Sequence, residues 1–96
     1  MRLHRYWIQF DDPKRLGHGL GLVLVLGCGV TAFDLDDAIA LLERDVFKGP
    51  MPVRIASSIE DVDVRTLDPG HVIPNMLPPD RRGVWFPMGF ASVQAR

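Results

Sequence analysis

Polar and apolar residues alternate through "LHRYWIQF", residues 3–10. Leu3, Arg5, Trp7 and Gln9 fall on one side of an extended chain, and His4, Tyr6, Ile8 and Phe10 on the other. The aromatic and β-branched content predicts a strand with one largely apolar face. Asp11-Asp12-Pro13 ends it, because proline cannot continue a hydrogen-bonded ladder. The glycine-rich "DDPKRLGHGLG" then reads as a polar loop. "LGLVLVLGCGVTAF", residues 20–33, is apolar on both faces and predicts a central strand. Its glycines suggest a bulge or bend near Gly27-Cys28-Gly29.

The period then changes. Leu35, Ala38, Ile39, Leu42 and Val46 lie on one face at helical spacing. Asp34 stands where an N-cap belongs, with Asp37 three residues on, and Lys48-Gly49-Pro50 is a stop signal. A helix is predicted over residues 35–47. "MPVRIASSI", residues 51–59, is a further strand, and "EDVDVRTL" prolongs it or pairs elsewhere. Asp68-Pro69-Gly70 is a turn. Residues 71–83 should be irregular, since Pro74, Pro78 and Pro79 block regular pairing. "GVWFPM" is a short last strand, placed at an edge by Pro87. The fold class predicted is α+β: a small antiparallel or mixed sheet of about four strands, one amphipathic helix on one face, and a proline-rich irregular C-terminal segment. The pattern resembles ferredoxin-like domains in outline only and brings no activity with it. One helix covers part of one sheet face. The other face needs solvent-tolerant residues, the C-terminal segment or a second copy of the chain.

Ninety-six residues make one domain, 1–96. An apolar share of 47% is that of an ordinary folded protein and excludes wholesale disorder. A net charge of −1 argues against a general nucleic-acid binder, which needs a basic excess to release phosphate counterions, and leaves only local basic patches. Binding nucleic acid through Arg2, Arg5, Lys14 and Arg15 would require all four on one face. Residues 20–26 are far too short to span a membrane, and no signal peptide is expected. The single cysteine, Cys28, forbids an internal disulfide, fits a reducing cytoplasm, and reads as a small buried filler.

Gly27-Cys28-Gly29-Val30-Thr31-Ala32 matches G-x-G-x-x-A, a dinucleotide-binding pattern. That pattern needs the helix to start inside it, with its N-terminus at the phosphates. Here the cap comes later, and it is an aspartate. No cofactor is expected. His4, His18 and His71 show no metal-ligand spacing with one another or with Cys28, and no metal is expected. Glu60-Asp61-Val62-Asp63 lacks the turned spacing of a calcium loop and reads as a strand with one solvated face.

Residues 67–89 hold five of the eight prolines, His71, Arg81-Arg82 and Trp85-Phe86. A proline-braced segment loses little entropy on docking. Met76, Trp85 and Phe86 offer contact area, Asn75 a hydrogen-bonding group, and arginines are enriched at interface hot spots. The function expected is therefore a non-catalytic binding module or small subunit in which residues 67–89 contact a protein partner, with room for a homodimer. The alternative is a small enzyme using acid–base chemistry on an anionic metabolite. There Asp68 would orient His71, and Arg81 or Arg82 would clamp the anion.

Overall fold

The computed structural model describes residues 2–11 and 26–87 of the chain. Four strands form one antiparallel sheet in the order β3-β1-β2-β4: β1 His4–Phe10, β2 Cys28–Ala32, β3 Ile55–Glu60 and β4 Gly83–Phe86. Helix α1, Leu35–Leu42, crosses one face, and the fold is α+β as the sequence predicts. Residues 12–25 lie outside the described residues, and with them the polar loop, His18 and the first part of the predicted long strand.

The start of α1 is fixed by two aspartates. Asp34 has extended backbone and accepts the Asp37 N–H at 2.7 Å, while Asp37 accepts the Phe33 N–H at 3.1 Å. The first bond satisfies an N–H that the opening turn leaves unpaired, and the second ties that turn back to the residue before the cap. The helical path continues to Phe47, but Glu43–Phe47 is a wider π-type turn. Lys48, and not Gly49, takes the left-handed conformation that ends it. The buried stripe is Ala38, Leu41, Leu42 and Val46. Leu41 falls outside the predicted stripe, and Ile39 is only half-buried.

Both faces of the sheet are covered. On the helix side, Tyr6, Ile8 and Phe10 of β1 and Val30 of β2 pack beneath the helix. On the other side, Trp7, Trp85 and Phe86 meet Val62, Leu67 and Val72. The strand over residues 51–59 is shifted: β3 begins at Ile55 and stops after Glu60, where Asp61 takes a φ of 55°. Beyond it, Val62 is buried on the second face, and Asp63 caps a short 3₁₀ turn, Val64–Thr66. The alternation in "EDVDVRTL" therefore comes from a chain crossing the sheet, not from an added strand. A second 3₁₀ turn, Ile73–Asn75, follows.

The adjacent aromatics Trp85 and Phe86 do not point one to each face. Val84 pairs with Val30 and Phe86 with Gly29, so Trp85 is the extra residue of a β-bulge. Both rings then turn to the second face, where Trp7 lies 6.1 Å from Trp85 and 5.7 Å from Phe86 between centroids. Gly29 makes room for this: a Cβ there would overlap the six-membered ring of Trp85. Gly29→Ala is expected to destabilise the fold by about 1–3 kcal/mol, the usual cost of overpacking, read as a lower urea midpoint with unchanged slope.

Candidate functional site: a groove beside residues 77–85

The irregular run between the second 3₁₀ turn and β4 is held in place at three points. The Leu77 N–H donates to the Trp85 carbonyl at 2.9 Å. Thr31, a buried polar residue of β2, donates its hydroxyl to the Pro79 carbonyl. Arg82 grips Asp37 with two nitrogens, Nε at 2.9 Å, and its guanidinium lies 5.5 Å from the centre of the Phe33 ring. Prolines at 78 and 79 suit this run because its backbone lies outside any ladder.

Between this run and the end of the helix lies a groove of about 530 Å³, within the size range of ligand pockets. Leu77, Val84 and Trp85 are among its lining residues, and three arginines face two aspartates at its walls. Arg44 is chelated by Asp45, Nε to Oδ1 at 2.7 Å. This holds the Asp45 carboxyl below the usual carboxylate range. The Arg82 guanidinium pulls the Asp37 carboxyl down to about 2, with help from the Phe33 N–H. Arg81 is exposed and makes no hydrogen bond or ion pair with any other described residue. It is the groove's uncommitted cation.

The residues singled out from the sequence fall into three groups. Arg81, Arg82 and Trp85 line the groove, but Arg82 is bound to the helix cap. Trp85 and Phe86 are buried at 1% and 2% exposure beneath their own chain, so neither ring is presented at the surface. Trp85 Nε1 is buried without an acceptor among the described residues. Met76 is half-buried against the second core. The third group is the turn at 68–75. Asp68 accepts the Gly70 N–H at 2.7 Å and the His71 N–H at 3.1 Å, and these bonds lower its carboxyl pKa, Gly70 most. His71 Nδ1 stands 3.4 Å from Asp68 Oδ2, with three quarters of its side chain exposed, and Asn75 donates to the His71 carbonyl at 2.9 Å. Neither His71 nor Asp68 lines the groove, so the histidine and the arginines do not share one cavity. Burial raises the Cys28 thiol far above its ordinary value, as an inert filler requires.

One constellation adds a residue that the sequence reading does not join to the acidic run at 60–63. His4, Glu60 and Asp61 bring ligand-type atoms within 4.8 Å of one another. His4 is more than fifty residues from the adjacent Glu60 and Asp61, so no local spacing joins it to them. The β1–β3 pairing, with Tyr6 opposite Glu60, is what joins them.

No family model, no curated protein and no solved structure matches this chain. No helix among the described residues is long and apolar enough to cross a membrane.

Asp37 joins helix cap and groove wall through one carboxylate, and its pKa is lower folded than unfolded. Its contribution is therefore complete above the unfolded value of 3.8 and is lost as pH falls towards about 2. Arg82→Ala should lower the melting temperature near neutrality, by a difference that shrinks over that window. Asp63, held down by Arg65, titrates there as well. An Asp37→Asn variant isolates the Asp37 share, and the Arg82→Ala change should have little further effect in that background.

Proposed function

We propose that the protein is a non-catalytic binding module whose groove beside residues 77–85 receives an acidic segment of a protein partner. The observation that carries this reading is Arg81: an exposed guanidinium with no carboxylate partner among the described residues, on a groove whose neighbouring arginines are already paired. Desolvated arginine–carboxylate contacts are short, directional and often bidentate, which suits recognition of an acidic side chain. The groove is also firmly built. Its walls are a strand, a helix end and a run fixed by three hydrogen-bonded anchors, so little order has to be gained on binding.

The lone, buried thiol fits a partner met in the cytoplasm. A second copy of the chain is one such partner, which two differently tagged copies would reveal. The acid–base alternative has less support, because His71 stands exposed outside the groove that holds the arginines.

The test is a tagged pull-down read by mass spectrometry, followed by titration of the captured partner. Arg81→Glu should leave the melting temperature unchanged and weaken the complex at least about tenfold, or about 1.4 kcal/mol. Arg82→Ala is the wrong probe, since it disturbs the fold. A partner held equally well by wild type and Arg81→Glu would overturn the assignment.

A further inference from the structure

We propose that His4, Glu60 and Asp61 bind a divalent transition-metal ion through one imidazole nitrogen and two carboxylate oxygens. The three side chains stand where β1 meets the end of β3, and β3 and β4 are opposite edges of the sheet. The site is therefore separate from the groove and does not depend on its function.

The spacing of His4 and Asp61 is that of metal ligands. His4 Nδ1 lies 3.0 Å from Asp61 Oδ1 and 3.1 Å from Asp61 Oδ2. Two cis ligands on bonds of about 2.1 Å stand about 3 Å apart, so an ion can take the place of the shared proton with little movement. Glu60 completes the set from within 4.8 Å. Its carboxylate is oriented from below by a residue outside the cluster: Tyr6, buried, donates its hydroxyl to Glu60 Oε1 at 3.0 Å. Outer contacts of this kind fix ligand orientation in known metal sites.

The supporting backbone is equally fixed. Tyr6 and Glu60 are direct cross-strand partners. Past the left-handed Asp61, the Val62 N–H returns to the Arg5 carbonyl at 3.0 Å. The ligands therefore stand on strands and on a pinned turn, not on a free loop. An imidazole nitrogen favours ions of the zinc, copper, iron and nickel kind over calcium and magnesium, while the two carboxylates also suit manganese. Glu60 and Asp61 are exposed, so water can fill the remaining positions. The competing cation is Arg2, whose Nη2 is 3.5 Å from Asp61 at the end of a side chain that is 76% exposed. Such a contact is weak and readily displaced.

Calorimetric titration of the full chain with zinc, then with manganese, tests the proposal, with amide NMR spectra locating the ion. The expected result is one saturable site. Zinc should shift the amides of His4, Glu60 and Asp61, manganese should broaden the same signals, and the signals of His71 and Cys28 should be spared. Glu60→Gln and Asp61→Asn should each weaken binding about tenfold or more while the chain stays folded. Glu60→Gln retains an acceptor for Tyr6, so lost affinity there is not lost packing. Arg2→Ala should tighten binding. No saturable binding to wild type, binding unchanged in both carboxamide variants, or shifts centred on His71 would each overturn the proposal.

Discussion

The contact on which the second half of the chain depends is Trp85 lying against Gly29. It needs two unusual local features at once: a bulge in β4 that turns two consecutive aromatics to one side, and a bare Cα in β2 to receive the larger ring. Remove either and the sheet loses the cover on its second face. Val62, Leu67 and Val72 would have no aromatic floor to pack on. Residues 61–82 form little regular structure of their own, so they depend on side-chain burial and a few anchors for their place. The proline-dense segment is the covering layer of the sheet's second face, and the groove lies beside what that covering leaves facing outward.

The elements themselves were largely legible. Alternation marked β1, and a period near 3.6 with two aspartates marked the helix; the same residues form them in the fold. The boundaries that moved did so for stateable reasons. The π-type turn shifts the helix end onto Lys48, an adjustment that residue spacing does not show. β3 stops at Asp61 because one residue goes left-handed, and the valines beyond it were already apolar enough to imitate a strand. The bend in "GCG" was readable as a need for glycine. What Gly29 meets was not, because the ring that fills the space comes from more than fifty residues away.

The site was legible only as a list of residue types. Arg81 and Arg82 are chemically identical neighbours, yet Arg82 is tied to a helix cap and Arg81 has no ion-pair partner among the described residues, a difference set by where Asp37 lies. Asp68 and His71 meet across their turn as their spacing implies, but spacing could not reveal that they stand outside the arginine groove. His4, Glu60 and Asp61 illustrate the same limit from the other side. Strand pairing brings them together, and pairing is a property of the whole sheet.

The strand order has a consequence for how the chain reaches this state. β1 is synthesised first, yet it lies in the interior of the sheet, between β2 and β3. One of its edges therefore waits for residues 55–60 to leave the ribosome, and its tryptophan face waits longer still, for residues 62–86. Through that interval an aromatic strand stands with unsatisfied backbone on one side and bare rings on one face, a condition that invites pairing with neighbouring chains. A polar Gln9 and the charged Arg5, alternating with Trp7 on that waiting face, make it less adhesive while it waits.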